Sequence, residues 1–484
     1  MKPKNIFLAG VLLLSFCLSA LNLAAANRHH GLFDPLVDIA QLVRQNYVTE
    51  TNDEQLAVGA INGLLHQLDP YSEYIPADQV EEFQKLTAGS YEGIGIGIDI
   101  EDGFLTVISP FEDTPAWDAG ILPGDRIIEV DGESTKGWSA TKAVQQLTGP
   151  AGSAVRITIL RPDSQHLELT LTRRQIHVPT VRGWRRSADD NTWDYLLDPD
   201  NGVGYIRVTQ FTEDTADELD RAVHSLQRSS LKALILDLRA NPGGILSAAV
   251  AVADRFINDG VIVSTKGAHT QPSVERATTE QTYPHFPLIV LVDAGSASAS
   301  EIVAGALQDH HRAVVVGQRS WGKGSVQRVF RLPSDGAVCK LTTDYYYLPS
   351  GRCVHKLPDA ELWGVDPDVE QALDPDKLLA LRDHMAMLTR VSRNGAQLEA
   401  PTGAEIAPAA DDQAIPGDSE DVSETDPAYE LLRLDDQLDQ AAKQARGLLR
   451  AQPTLPTLSA SLAATTNTAD PAPTEDADLL EIAP

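Results

Sequence analysis

A serine-rich turn and a lysine between two glycines hold the residues best suited to chemistry. Gly295-Ser296-Ala297-Ser298-Ala299-Ser300-Glu301 leads from an apolar run into a helix, and Gly322-Lys323-Gly324-Ser325-Val326-Gln327 follows with the texture of a strand. A serine hydroxyl is a weak nucleophile at neutral pH and needs a neighbour to take its proton. A neutral lysine can do this, because burial penalises the ammonium form and lowers its pKa. Ser298-Ala299-Ser300-Glu301 also fits a capping box, in which a serine merely ends a helix. Its position at the carboxyl edge of a buried strand argues for more, since helix-start amides favour negative charge there. The Ala299 N–H would then donate to a developing oxyanion. Ser296 and Ser300 compete with Ser298, and spacing alone does not choose among the three.

A solvated surface lysine is the common fate of the residue type. The glycines flanking Lys323 permit close backbone approach, and on a strand Lys323, Ser325 and Gln327 would share one face. Gln327 could then hold the amine by hydrogen bonding. Leu236-Asp237-Leu238-Arg239-Ala240-Asn241-Pro242-Gly243-Gly244 ends another buried strand. Gly243 or Gly244 could bring a second amide to the oxyanion, while Asp237 and Arg239 read as a structural pair. The twelve histidines show no ligand spacing, so no metal is expected. The Gly93-Ile94-Gly95-Ile96 repeat lacks phosphate-loop spacing and suits an edge that catches a peptide terminus.

The elements that must position these residues follow from periodicity. Residues 33–85 repeat apolar side chains at helical spacing until Asp69-Pro70-Tyr71-Ser72 breaks the pattern. Short strands are expected at 105–109, 125–130 and 155–161, with a helix over 139–147. Residues 174–202 lack clear periodicity and read as a connector or cap. From Val203 strand and helix alternate: strands 204–208, 233–238, 288–292 and 313–316, with helices 214–228 and 299–310. A hairpin over 338–347 and 352–355 closes this α/β core. Beyond about Asn394 the chain, rich in Ala, Pro, Asp, Glu and Thr, is expected to be largely disordered except for an amphipathic helix near 429–449.

The chain has 484 residues, enough for two or three domains, and a formal charge of −30. With no dense Lys/Arg run, it does not suit nucleic acid. Lys2 and Lys4, the apolar stretch from Ile6 to Leu23, and Ala24-Ala25-Ala26 form an export signal. Left uncleaved, the stretch would instead anchor the chain at a membrane. Export would allow Cys339 and Cys353 to pair, but simple hairpin register does not set them opposite each other.

In these motifs the chain resembles the C-terminal processing peptidases, or tail-specific proteases, from about Asp34 to Leu381. The resemblance takes in Leu68-Asp69-Pro70-Tyr71-Ser72, Gly93 to Ile96, Gly204-Tyr205-Ile206-Arg207, Asp237 to Gly244, the serine run, Gly322 to Gln327, Leu341-Thr342-Thr343, Pro349-Ser350-Gly351-Arg352 and Gly364-Val365-Asp366-Pro367-Asp368. It implies that Ser298 is the nucleophile, Lys323 the base and Gln327 the lysine's support. It also implies a PDZ domain over 89–173 that captures a terminal carboxylate on the Gly93, Ile94, Gly95, Ile96 segment. The core would be α/β of the ClpP/crotonase-like type. Ala240 departs from the common Asn-Asn-Pro-Gly-Gly version, and the segment 183–199 and the acidic tail have no counterpart.

The expected organisation is a signal peptide or anchor over 1–26, a helical region over 33–88, the PDZ domain, a connector over 174–202, the protease core over 203–385 and an acidic tail over 395–484. The expected function is a periplasmic or envelope-held serine endopeptidase, without cofactor, acting on proteins with accessible C-termini. A homo-oligomer and an activating partner are left open. One rival is a catalytically silent scaffold that binds tails through its PDZ domain; it gives Ser298, Lys323 and Gln327 no role. Another is a crotonase-like acyl-CoA enzyme, which gives none to an export signal or a PDZ module.

Overall fold

The computed structural model describes residues 33–389, apart from 81–82, 84–89, 102, 162–164, 188–191, 284–285 and 359, together with 428–451. The expected export segment, 1–26, and the acidic stretches 395–427 and 452–484 lie outside the described residues. Two helices come first, α1 (33–46) and α2 (Asp53–Leu65), the latter capped by the Asn52 side chain. Asp69 ends this stretch: its carboxylate accepts from the Tyr71 and Ser72 amides at 2.7 and 2.8 Å, an Asx turn. The chain then forms β1 (Glu73–Ile75), paired with residues 338–340 far downstream. The expected helical region is therefore helical only in part, because long-range pairing captures its end.

The next unit is an antiparallel sheet. Its strands are β2 (Ile96–Glu101), β3 (Phe104–Pro110), β4 (Arg126–Val130), then, after helix α3 (Ala140–Leu147), β5 (Ala154–Leu160) and β6 (His166–Thr172). Alternation buries Val155, Ile157 and Ile159 of β5 against Leu105, Ile127 and α3. Strand β2 lies at the sheet edge.

The connector is not featureless. Within it β7 (Val181–Arg182) joins the main sheet, and a two-stranded ribbon pairs Arg185–Arg186 with Trp193–Asp194. The main sheet continues with β8 (Val203–Val208), β9 (Ala233–Asp237), β10 (Leu288–Val292) and β11 (Val314–Gly317). Between them run α4 (Thr215–Arg228), α5 (Leu246–Asp254) and α6 (Ala299–Asp309). A second sheet contains β12 (Ser325–Arg331) and β13 (Val338–Tyr347), after which β14 (Val369–Glu370) completes the first in the order β7-β8-β9-β10-β11-β14. From β8 to β14 it is parallel. Every residue of β9 and β10 is buried, as a parallel sheet covered on both faces requires.

Helices α4, α5 and α6 cover one face. The other is covered by α7 (Tyr429–Leu434) and α8 (Asp436–Ala451), from the region expected to be an acidic tail. The predicted amphipathic helix thus exists as two helices and forms a layer of the core. A buried ion cluster fixes it: Arg239 donates to Asp237 at 2.7 Å and to both Asp435 oxygens at 2.8 and 2.7 Å, and the Tyr205 hydroxyl donates to Asp237 at 2.7 Å. The structural pairing of Asp237 with Arg239 is present, with Asp435 as an unforeseen third member. Burial alone would raise the Asp237 carboxyl, but the charge and hydrogen bonds of Arg239 outweigh it and bring it down to about 2. Its stabilising contribution is complete above the unfolded carboxyl's 3.8 and is lost as pH falls through about 2. Arg239→Ala strands two buried carboxylates and is expected to cost about 3–5 kcal/mol. Thermal melts and limited proteolysis check this; cleavage should begin around 428–451.

The hairpin expectation holds for β13 but not for its partner. The main partner of β13 is β12, and residues 352–355 contribute only a bridge between Tyr347 and Cys353. Both cysteines are free. Cys339 and Tyr347 lie eight residues apart on one strand, roughly 26 Å, which a disulfide cannot span.

Candidate active site

The turn between β10 and α6 sorts the three serines. Ser296 is buried: its hydroxyl donates to Leu238 O at 2.8 Å and accepts from the Asp293 amide at 2.9 Å. Ser300 is also buried, and its hydroxyl donates to Asn241 O at 3.0 Å. Ser298 is half-buried and has φ 57°, a left-handed conformation that costs energy for a residue with a side chain. Its side chain meets the Tyr346 phenol. Two serines are thus committed to holding the turn, and the third is presented by it.

Glu301, one helical turn further on, does more than cap. Its Oε2 accepts from the Ser298 and Lys323 amides, both at 2.8 Å, and its Oε1 from the Gly322 amide at 2.7 Å and the Ser320 hydroxyl at 2.5 Å. One buried carboxylate therefore ties the serine turn to the Gly-Lys-Gly loop. Burial raises its pKa, against the lowering effect of those four donors. Tyr346 adds a second tie by donating to the Lys323 carbonyl.

Lys323 lies just before β12, not within it. Its Nζ sits 5.0 Å from the centre of the Tyr71 ring, and no hydrogen bond joins it to the Ser298 side chain. Burial lowers its pKa, the charge of Lys340 lowers it further, and Glu301 opposes both. His355 flanks the loop: its Nδ1 accepts from the Gly324 amide at 3.2 Å, and its ring packs on Tyr345 and Tyr71. A Cβ on Gly324 would stand 2.5 Å from the His355 backbone nitrogen, so this glycine is required for the close approach.

The structure does not place Gln327 on Lys323. Its amide donates to Ser325 Oγ at 2.9 Å and Thr342 Oγ1 at 3.3 Å. Ser325 and Gln327 do share a face, but the strand begins only at Ser325 and leaves Lys323 in the loop.

Gly243 packs directly on the serine: a Cβ there would stand 2.7 Å from Ser298 Cβ and 2.9 Å from the Ala299 nitrogen. Its own N–H is taken, donating to Asn241 Oδ1 at 2.9 Å. The N–H groups of Gly244 and Ala299 donate to nothing among the described residues. Of the two glycines, Gly243 supplies room and Gly244 a free donor. Asn241 pins this loop, its Nδ2 donating to Val208 O at 2.8 Å.

In the first sheet unit, Ile94 and Ile96 are buried and Gly95 has φ 80°. The carbonyls of Ile94 and Gly95 are held by the Ala116 and Phe111 amides, each at 2.9 Å. The Ile96 amide faces the Tyr91 phenol, whose pKa burial pushes up to about 12. Among the described residues no group of three or more metal-ligating side chains occurs, and no helix is long and apolar enough to cross a membrane.

Sequence reasoning gave Glu301 only a capping role and missed Tyr71, Asn241, Tyr346 and His355 at the site. The Asp69-Pro70-Tyr71-Ser72 break was the available signal for Tyr71; nothing local marks Tyr346 or His355.

Comparison with known proteins identifies the family of this chain. The model of peptidase family S41 matches residues 202–371, that of the PDZ domain 106–161, and that of the activating protease CtpB N-terminal domain 24–79. A carboxy-terminal-processing protease of Bartonella bacilliformis is 40% identical over 383 residues, covering 77% of this chain and 83% of that protein. The carboxy-terminal processing protease CtpA of Bacillus subtilis is 34% identical over 360 residues, covering 74% and 72%. Among solved structures, the photosystem II D1 C-terminal processing protease is 29% identical, covers 74% of this chain and 91% of its own, and superposes with a TM-score of 0.41. The chain with the presented serine and the tethered lysine loop belongs to the carboxy-terminal processing proteases of peptidase family S41.

Proposed function

We propose that this protein cleaves polypeptides with Ser298 as nucleophile and Lys323 as its base, acting on chains whose free carboxyl terminus its PDZ domain holds. The observation that carries this reading is the Glu301 carboxylate, which binds the backbones of both residues at once. The lysine amine must leave the Tyr71 ring and swing to the Ser298 hydroxyl. Neutral, it takes the hydroxyl proton as Ser298 attacks the carbonyl, and it returns that proton to the leaving amine. The free amides of Ala299 and Gly244 suit the oxyanion, with Gly243 keeping the space clear. Water then attacks the acyl-enzyme, again through the lysine. Gln327 acts at most indirectly, by fixing Ser325 beside the loop.

The tail would add as a strand along β2, its carboxylate at the Gly93, Ile94, Gly95, Ile96 turn. The three-layer core suits the ClpP/crotonase-like type. We assign residues 33–88 to an N-terminal region, 89–173 to the PDZ domain, 174–202 to the connector and 203–385 with 428–451 to the protease core. The sequence of residues 1–26 supports export to the periplasm or envelope, with a tether where it stays uncleaved. Exposed Phe33, Val37, Ile39 and Leu42 on α1 support assembly of copies through that region.

Incubating the full chain and its Ser298→Ala form with an unfolded protein, then mapping products by mass, tests the reading. Cleavage by the first alone is expected, and a carboxyl-amidated peptide should be cut more slowly than its free acid. No cleavage by either would favour a silent scaffold. The pH dependence is a further check: kcat/KM should rise with pH through a midpoint below the 10.5 of an ordinary lysine, as Lys323 loses its proton. Lys340→Gln removes a nearby positive charge and should move that midpoint to higher pH.

A further inference from the structure

A cleft of about 470 Å³ lies between the PDZ sheet and the protease sheet, and no residue of the serine turn lines it. Phe111 lines it from the PDZ side, and Arg182, Trp193, Tyr195 and Arg221 from the protease side. Arg182 on β7 stands directly opposite Arg207 on β8, and like charges facing across an antiparallel pair repel. The Arg182 side chain has no hydrogen bond or ion pair among the described residues. Burial first, then Arg207 and Arg186, push its pKa down to about 10.

The acidic groups of the cleft are engaged by groups other than Arg182 and Arg221, Glu218 through its Oε2 alone. Glu112 pairs with Arg186 across the domain boundary. Glu218 accepts from the Thr180 amide at 2.7 Å, the Thr180 hydroxyl at 3.0 Å and the Val181 amide at 2.9 Å. The Arg221 side chain and the Tyr195 phenol, like the Arg182 side chain, make no hydrogen bond among the described residues. A desolvated guanidinium with other cations for neighbours is costly unless an outside anion joins it.

We propose that this cleft is an anion site at the domain boundary, taken by a carboxylate-bearing peptide segment whose acidic side chain pairs with Arg182 and Arg221. A guanidinium fork matches a carboxylate in two-pronged fashion. The walls of Phe111, Trp193 and Pro179 would cover the aliphatic parts of such a segment, which a bare inorganic anion would leave unused. The volume lies within the roughly 300–1,000 Å³ of ligand pockets. Because one wall belongs to each domain, an occupant would bridge them. The site stands apart from the peptidase reading and does not depend on it.

The test uses the full chain carrying Ser298→Ala, so that no probe is consumed. Calorimetric titration compares an acetylated, carboxyl-amidated hexapeptide alternating Glu and Leu with its Gln counterpart and with inorganic phosphate. Amidation keeps the probe from competing as a free tail. The Glu peptide should bind, and bind more weakly as salt rises. Arg182→Gln and Arg221→Gln should each weaken it roughly tenfold, in line with a lost charge-assisted hydrogen bond. Arg221 is exposed, so its variant keeps the test valid should Arg182→Gln fail to fold. Equal binding of Glu and Gln peptides, phosphate binding as tightly as the Glu peptide, or unchanged binding in Arg221→Gln would overturn the proposal.

Discussion

Ser298→Ala and Lys323→Ala are each expected to lower peptidase activity by on the order of 10⁴-fold or more, and the double variant should be no worse than either. A nucleophile and its base act as one unit, so removing either removes the step. Lys323→Arg should fail as well, because a guanidinium does not give up its proton near neutral pH. Binding of a tail peptide should be unchanged in all four, since the PDZ sheet lies outside this turn. Initial rates on a fluorogenic peptide, with binding measured in parallel, provide the check. Normal turnover by Lys323→Ala would remove the proposed base.

Replacing Glu301 should have the second largest effect, on fold and catalysis together. Four donors converge on its two oxygens, two on each. Glu301→Ala leaves the Ser298, Gly322 and Lys323 amides and the Ser320 hydroxyl unsatisfied. Glu301→Gln is nearly as harmful, because its amide points two hydrogens at groups that are themselves donors. At about 1–3 kcal/mol for each group left unsatisfied, a loss of at least 3 kcal/mol is expected. Activity should fall by on the order of 10²-fold, as displacement of groups around a reaction centre can cause. A variant as stable and active as the parent would show that the carboxylate does not set the relation of serine to lysine.

Much of the fold could be read because buried parallel strands leave an unambiguous trace. The apolar runs at 233–238 and 288–292 became β9 and β10, and the helices expected over 214–228 and 299–310 became α4 and α6. What local pattern could not show depended on distant partners. Strand β1 is a strand because residues 338–340 pair with it, and α8 is docked because Asp435 finds Arg239 about two hundred residues earlier. The serine run was ambiguous for a similar reason. Ser296 and Ser300 are excluded by hydrogen bonds to Leu238 and Asn241, residues of another strand's loop. The expected support of Lys323 by Gln327 rested on extending the strand back by two residues, and the glycines that suggested close approach are also what keep Lys323 out of it.

The most direct measurement is the rate at which a fluorophosphonate modifies the protein as pH is raised, with the adduct located by peptide mass mapping. The adduct should sit on Ser298, form faster along a limb with its midpoint below the ordinary lysine range, and lose both speed and limb in Lys323→Ala. An adduct on Ser296 or Ser300, or equal rates with and without the lysine amine, would contradict the assignment of this pair.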